Sequence, residues 1–176
     1  VDARVSVSYS SVEGALANLE AESDLHFEDV LAFAGRSWSE ELSRIEFKGI
    51  DSRVDTLFYT SLYHTSFAPQ LYSDAGQLDD YTIFSTWDTY RAVHPLYNII
   101  DPRAGDYVNS LLKISETSGR LPVWHLAGYE TDCMVGNPGI PPVADAIVKG
   151  FEGFDYELAF EAMKVSALRP DRGQDA

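Results

Sequence analysis

Apolar side chains recur along most of the chain with the spacing of an amphipathic α-helix, which buries one face and exposes the other to water. The longest pattern of this kind covers residues 27–47 and predicts a helix of about five turns. Its apolar positions are Phe27, Val30, Leu31, Ala34, Trp38, Leu42 and Ile45. Similar patterns predict helices over 105–117 and 155–168, and a shorter helix after Ser10 and Ser11. The chain is therefore predicted to be mainly α.

Two further segments, 54–68 and 141–150, have the length of helices but almost no charge. A helix that is apolar on most sides is usually buried, so these two are predicted to be inner helices. The charged amphipathic helices 105–117 and 155–168 are then predicted to be outer ones. This alternation along the chain is what two concentric layers of helices require.

The first nine residues alternate apolar and polar side chains and predict one β-strand. A single strand is not stable alone. We therefore expect either a partner strand outside this sequence or a strand that ends a preceding β-domain. The chain begins with valine and ends soon after a helical pattern, so both ends are interpreted as cuts in a longer polypeptide.

Composition narrows the classes of function. The 176 residues fit one domain or a piece of a larger one, and with 45% hydrophobic and 12% aromatic residues the chain can bury a core. The net charge of −15, with no basic run, argues against a nucleic-acid partner. No apolar run approaches the length of a membrane span, and no signal peptide opens the sequence. The single cysteine, Cys133, excludes an internal disulfide and a multi-cysteine metal site.

The stretch 80–99 combines polar chemistry with aromatic surface. Asp88, Arg91 and His94 follow one another at i, i+3 spacing, so a helix here would place them along one face unless Pro95 interrupts it. Sugars suit such a site, since their C–H faces stack on aromatic rings and their hydroxyls bind charged groups. The alternative is a core helix that carries one surface ion pair. The aromatic residues of the stretch are Tyr81, Phe84, Trp87, Tyr90 and Tyr97.

Other candidate chemistry leaves alternatives open. Cys133 and His125 are either a nucleophile and its base or, more simply, a small buried cysteine and an unrelated histidine. Asp88 and Glu130 are candidates for the two carboxylates of a glycosidase, among the 28 acidic residues of the chain. Trp124 is either a stacking platform for a sugar or a core tryptophan. No metalloprotease, phosphate-loop, dinucleotide, serine-hydrolase or EF-hand motif occurs.

Four strings in order carry a more specific signal: F-Y-T-S-L-Y-H-T-S-F-A-P at 58–69, Y-T-I-F-S-T-W-D-T-Y-R-A-V-H-P-L at 81–96, G-R-L-P-V-W-H-L-A-G-Y-E-T-D-C-M-V-G at 119–136, and the helices up to Ala167. Together they resemble the bacterial α-mannosidases of glycoside hydrolase family 92. The resemblance implies an N-terminal β-sandwich, an (α/α)6 barrel, and calcium-dependent, inverting exo-hydrolysis of α-mannosides.

Under this resemblance the chain divides into three regions. Residues 1–10 would be the end of the β-sandwich, 11–50 linker helices, and 51–176 the first part of the catalytic barrel. The fold expected is thus mainly α, with one short strand from the preceding sandwich. The family's general acid, its general base and its calcium-site segment have no counterpart in this sequence. We therefore expect no catalytic residue and no calcium ligand within this chain.

The resemblance also implies site residues. Asp88 matches the aspartate of the W-D-T motif and is expected to bind the hydroxyls of the terminal mannose. Trp87, Arg91, Trp124 and Glu130 match motif positions that we place around the same site. The sequence departs from the family pattern twice, with His125 where glutamate is usual and Tyr129 where asparagine is usual, which puts the polar network beside Glu130 in doubt.

The functional hypothesis is a partial α-mannosidase that acts on mannose-containing glycans and needs the remainder of its own polypeptide. The resemblance implies export to the periplasm or outside the cell, and no nucleic-acid or membrane partner is expected. Without the acid and base, the 176-residue chain alone is predicted to be inactive. The alternatives are a carbohydrate-binding module that uses Trp87, Asp88 and Trp124 without catalysis, and a structural helical module.

Overall fold

A computed structural model describes residues 3–169, and within them the prediction of a mainly α chain is confirmed. Eight helices and two two-stranded antiparallel sheets are present in this range. The helices are α1 Val12–Ala21, α2 Phe27–Leu42, α3 Ser52–Thr65, α4 Thr86–Thr89, α5 Val93–Ile100, α6 Ala104–Ser118, α7 Ile140–Val148 and α8 Tyr156–Leu168. The strands are β1 Gln70–Leu71, β2 Tyr81–Thr82, β3 His125–Leu126 and β4 Tyr129–Glu130.

The chain forms two compact units. The first runs up to Phe67 and includes Asp74–Gln77, and the second comprises Ala68–Ser73 and the chain from Leu78 onwards. These units differ from the predicted regions 1–10, 11–50 and 51–176, which remain predictions about the family's domains.

The first unit is held by contacts between α2 and α3. The ring centroids of Trp38 and Tyr63 lie 4.5 Å apart, and those of Tyr63 and Phe67 lie 4.6 Å apart. The predicted helix 27–47 ends at Leu42, and Ser43 forms its C-cap. The last apolar positions of the pattern therefore lie in the connection to α3.

The expectation that 54–68 is a buried helix is wrong. Within α3 only Leu62 is buried, and Leu57 is 59% exposed. Low charge makes burial possible, but a helix face becomes buried only where another element covers it. In the first unit, α3 packs Tyr63 against Trp38 of α2 and Phe58 against the ring of Phe47, which follows α2, and leaves residues such as Leu57 exposed.

The predicted strand over 1–9 is not observed in residues 3–8, which have no regular secondary structure; Val1 and Asp2 lie outside the described residues. The polar positions of this segment bind helix ends and a loop instead of a neighbouring strand. Arg4 donates to the carbonyls of Glu22, Ser23 and Leu25 after α1. Ser8 donates to the carboxylate of Asp74 at 2.9 Å. An alternating pattern forms a strand only where a partner supplies the ladder of hydrogen bonds.

The core of the second unit is built around α6. Eight of its residues are buried, and α7 and α8 pack against it through the fully buried Val143, Ala146 and Ala159. Helix α6, which the sequence predicts to be an outer helix, thus buries a wide face against α7 and α8. Helix α7 does bury one face, as its low charge predicted.

The stretch 80–99 forms two short helices, not one. Helix α4 ends at Thr89, the chain turns at residues 90–92, and α5 begins at Val93. Pro95 does not cause the break, because it is the third residue of α5, where the backbone needs no N–H donor. The turn separates the three polar residues: Asp88 and Arg91 are exposed, whereas His94 is only 6% exposed. The prediction that they share one helix face is wrong.

Candidate sugar-binding site

Two segments of the second unit, 84–90 and 121–126, are joined by backbone hydrogen bonds. Phe84 and His125 exchange N–H···O bonds of 3.0 Å in both directions. The N–H of Trp87 donates to the carbonyl of Val123 at 3.3 Å. The fully buried hydroxyl of Thr86 contacts the carbonyls of Pro122 at 2.7 Å and Val123 at 2.9 Å. These bonds fix the start of α4 against the second segment.

Asp88 lies exposed in this short helix, with its two carboxylate oxygens in different environments. Oδ2 accepts hydrogen bonds from the hydroxyl of Ser85 and from Nε1 of Trp124, the latter at 3.2 Å. Within the part of the chain that the structure describes, Oδ1 accepts none. One oxygen is therefore held by the protein and the other is open to a hydroxyl donor.

Two tryptophans accompany this carboxylate. Trp87 precedes it in α4 and is 39% exposed, and Trp124 is partly exposed and holds Asp88 with its indole edge. An aromatic surface beside a carboxylate can bind both the apolar faces and the hydroxyls of a sugar. Of the predicted site residues, the structure therefore joins Asp88 and Trp124 directly, and it holds the backbone of Trp87 against Val123, the residue before Trp124.

Arg91 takes a different position. Its guanidinium lies over the ring of Tyr90, 5.2 Å from the ring centroid, and in the described range it makes no ion pair with Asp88. The surface ion pair considered for this stretch is thus not formed. Arg91 is exposed and free to meet a ligand, but the structure does not hold it at the carboxylate.

The hairpin β3–β4 returns the chain toward this site. Ala127 and Gly128 at its tip have φ angles of 49° and 90°, a left-handed turn that places Glu130 opposite His125. The carboxylate of Glu130 accepts backbone N–H bonds from Val123, Trp124 and Asp132 at 2.8 to 3.3 Å. Glu130 therefore binds the backbone of the segment that carries Trp124.

With this geometry established, comparisons with known proteins decide the family. The model of the glycosyl hydrolase family 92 catalytic domain matches residues 14–175. The chain belongs to glycoside hydrolase family 92. No curated protein matches the sequence.

The structure is similar to solved members of family 92 from Bacteroides thetaiotaomicron. For the α-mannosidase BT3965 the TM-score is 0.86 at 35% identity, over 92% of this chain and 24% of that one. A second structure of BT3965, in complex with mannoimidazole, gives the same TM-score and identity. The inverting mannosidase BT2199 gives a TM-score of 0.80 at 30% identity, over 89% of this chain and 24% of that one. This family 92 chain spans about a quarter of the length of these relatives, consistent with part of a helical barrel.

The two departures from the family pattern have different surroundings. His125 is buried, with Nδ1 3.2 Å from the hydroxyl of Thr82, and burial lowers its pKa, opposed in part by the charge of Glu130. Tyr129 is 78% exposed at the hairpin. His125 thus lies inside the fold, whereas Tyr129 presents an aromatic ring at the surface.

Neither alternative for Cys133 fits the structure. The cysteine is exposed, so it is not a buried packing residue, and its sulfur contacts the hydroxyl of Thr131 at 3.3 Å instead of His125. The pairing of Asp88 and Glu130 as glycosidase carboxylates is also disfavoured. The oxygens of Glu130 are already bonded to backbone amides, whereas a general acid or base needs access to the substrate.

A buried ion pair that residue spacing does not predict lies next to the site. Arg120 is 1% exposed, and its guanidinium lies 2.5 Å from the carboxylate of Asp132. The feature of the sequence that points to this ion pair is the position of Arg120 in a run with few other charges, residues 119–129. This pair joins the residue before the segment 121–126 to the second residue after β4.

The described residues do not form the calcium site that the family resemblance implies. Among residues 3–169, no group of three His, Cys, Asp or Glu side chains is placed to hold a metal ion. In the same range, no helix has both the length and the apolar character needed to cross a bilayer.

Proposed function

We propose that this chain is the sugar-orienting part of an inverting α-mannosidase whose general acid and base belong to other segments of the same polypeptide. The observation that carries the proposal is the carboxylate of Asp88, which keeps Oδ1 open beside Trp87 and Trp124. The solved relatives are named as mannosidases, and one of them binds mannoimidazole.

In this proposal the chain binds and orients a terminal mannose. Oδ1 of Asp88 accepts a hydroxyl proton of the sugar in a charge-assisted hydrogen bond, and the tryptophans bind its apolar faces. Ser85 and Trp124 keep the other oxygen fixed, so that the carboxylate needs little reorganisation when the sugar binds. Arg91, exposed nearby in sequence, is the candidate for a second contact with the glycan.

Inversion requires a protonated acid and a base separated by about 6.5–9.5 Å, with a water between the base and the sugar. In the described range 3–169, the candidate pair of Asp88 and Glu130 does not suit this chemistry, since the carboxylate of Glu130 is bonded to backbone amides. We therefore expect residues 1–176 alone to release no mannose. Calcium, if the enzyme uses it, would be held by the remaining segments, and export from the cytoplasm would bring the enzyme to glycans outside the cell.

Mannose release from an aryl α-mannoside tests this proposal. The protein encoded by the complete reading frame is compared with the 176-residue chain under identical conditions. We expect release by the first and none by the second. Release by the short chain would contradict the assignment of acid and base to other segments, and no release by the complete protein would contradict the activity.

The second candidate is a carbohydrate-binding module without catalysis. The observation that favours it is that Trp87, Asp88 and Trp124 come together within one compact unit. Calorimetric titration of the 176-residue chain with mannose separates the two. Saturable binding that is lost in Asp88→Ala, together with a stop codon directly after Ala176, would favour the module.

A further inference from the structure

We propose that Glu130 is a positioning residue, which acts on the sugar through Trp124 and Asp88 and does not touch the sugar itself. This inference rests on the proposed sugar site and assigns a different task to one of the residues that the family resemblance places there.

Both oxygens of the Glu130 carboxylate accept hydrogen bonds from backbone N–H groups. Oε1 accepts from the N–H of Trp124 at 3.1 Å and of Asp132 at 2.8 Å. Oε2 accepts from the N–H of Val123 at 2.9 Å and, more weakly, from that of Trp124 at 3.3 Å. A carboxylate has about four acceptor positions, so these bonds use most of its capacity. Little remains for a sugar hydroxyl.

Hydrogen bonds hold both the N–H and the carbonyl of Trp124. Its N–H is bound by Glu130, and its carbonyl accepts from the N–H of Thr131 at 3.2 Å and from the hydroxyl of Thr131 at 2.7 Å. Two consecutive residues, Glu130 at the end of β4 and Thr131 after it, therefore fix the backbone from which the indole extends. Hydrogen bonds to an ionised carboxylate are the stronger kind, so Glu130 is the dominant of the two contacts.

The indole of Trp124 connects this backbone to Asp88. Nε1 of Trp124 donates to Oδ2 of Asp88, and with Ser85 it holds this oxygen while Oδ1 stays open. A displacement of Trp124 would remove one of these two donors and let the carboxylate rotate. The orientation of Oδ1 of Asp88 determines its hydrogen bond to the sugar. The effect of Glu130 therefore reaches the sugar through the contact between Trp124 and Asp88.

Glu130→Gln is the variant that tests the inference. Glutamine keeps the shape but replaces one oxygen with an NH₂ group, so at least one backbone N–H at Val123, Trp124 or Asp132 loses its acceptor. We expect kcat/KM of the complete enzyme on an aryl α-mannoside to fall roughly tenfold or more, as for other residues that position a binding group. Glu116→Gln, on the exposed face of α6, is the matched control and leaves kcat/KM unchanged.

Deoxy-mannosides, each without one hydroxyl, show where the loss acts. In the wild-type enzyme, removal of the hydroxyl that binds Asp88 lowers kcat/KM, and Asp88→Asn abolishes this dependence. We expect Glu130→Gln to weaken the dependence on the same hydroxyl, and the loss in the double variant to be smaller than the product of the two single losses, because both changes affect Asp88. Dependence lost at a different hydroxyl, or single losses that multiply fully in the double variant, would overturn the inference.

A substrate-free measurement separates this inference from the proposed function. The three tryptophans give three indole N–H resonances in ¹⁵N-labelled protein, which Trp→Phe variants assign. We expect the Nε1–H resonance of Trp124 to move in Glu130→Gln and in Asp88→Asn, and not in Glu116→Gln. An unmoved Trp124 resonance in Glu130→Gln would overturn the positioning role even if the enzyme hydrolyses mannosides. A moved resonance in a protein without mannosidase activity would support the positioning of Asp88 and reject the proposed function.

A second variant covers the case in which Glu130→Gln does not fold. Thr131→Val removes the hydroxyl bond to the Trp124 carbonyl but leaves the carboxylate bonds in place. We expect a smaller shift of the Trp124 resonance and a smaller loss in the dependence on the same hydroxyl. No change in either would contradict the mechanism by which the hairpin positions Trp124.

Discussion

Thr86 shows how a single side chain fixes the site. Its hydroxyl is fully buried and lies within hydrogen-bond distance of the carbonyls of Pro122 and Val123, which belong to the segment opposite α4. Asp88 follows two residues later, so the placement of its carboxylate depends on this anchor. Buried polar groups that lose their partners cost free energy, because no water replaces the bond.

Thr86→Val removes the hydroxyl at nearly constant shape. We expect the free energy of unfolding to fall by about 1–3 kcal/mol, because the single proton of this buried hydroxyl no longer reaches the carbonyls of Pro122 and Val123. Urea denaturation of the chain measures this change. Thr56→Val is the control, because the Thr56 hydroxyl bonds to the Ser52 carbonyl on an exposed part of α3. An equal loss in both variants would contradict the structural role of Thr86.

His94 makes stability depend on pH. Burial lowers its pKa from 6.5 to about 4, because the charged imidazole would lie between the rings of Phe84 and Tyr97 without water. Above pH 6.5 both the folded and unfolded states hold it neutral. Below that pH the unfolded chain binds a proton that the folded chain does not, so the free energy of unfolding falls by up to about 3 kcal/mol between pH 6.5 and 4.

The measurement is the free energy of unfolding at pH 7 and at pH 4.5 for the wild type, His94→Phe and, as a control, the exposed His64→Phe. We expect the acid loss to shrink in His94→Phe and to persist in the control. A part remains in every variant, since burial also lowers the pKa of His125. An acid loss that is the same in His94→Phe and wild type would contradict the assignment.

At the scale of elements, periodicity predicted where helices occur better than it predicted what covers them. The break between α4 and α5 has no strong local signal, because it results from contacts of Thr86 and Trp87 with a segment about 36 residues away. The exposure of α3 likewise depends on neighbouring elements and not on its own composition. Both errors arise where tertiary contacts, not local preference, decide the structure.

Alanine substitutions at two helix glycines are expected to change the stability of the chain in opposite directions. A Cβ on Gly105 would lie 2.4 Å from the carbonyl oxygen of Glu152, in the connection between α7 and α8, whereas a Cβ on Gly35 would have no heavy atom within 4 Å. We expect Gly105→Ala to destabilise the chain by about 1–3 kcal/mol through overpacking. Gly35→Ala is expected to stabilise it by about 0.5–1 kcal/mol, because alanine favours the helix.

Urea denaturation of both variants checks the pair in one experiment. A loss of stability in Gly105→Ala would support the close packing of α6 on the α7–α8 connection in the second unit. Stabilisation by Gly105→Ala would contradict that packing.

At the scale of the whole molecule, the long sequence strings predicted the family, and the family match confirms it. Spacing in the sequence could not show that Trp124 holds Asp88, since the two residues are 36 positions apart and meet only through folding. Nor could it show that Glu130 binds backbone amides, since the same glutamate suits a ligand or an acid. The chain covers 24% of the length of these relatives.

The most direct test of this account is kcat/KM of the complete protein on an aryl α-mannoside after Asp88→Asn. Asparagine retains an oxygen for Ser85 and Trp124 but presents NH₂ in place of the open acceptor, so the fold is kept and the hydrogen bond to the sugar is lost. We expect a decrease of roughly 10- to 100-fold, the value of a hydrogen bond to a charged group. Asp24→Asn, at an exposed turn, is the control. A decrease of less than about twofold in Asp88→Asn, in a protein that folds normally, would contradict the assignment of Asp88 as the sugar ligand.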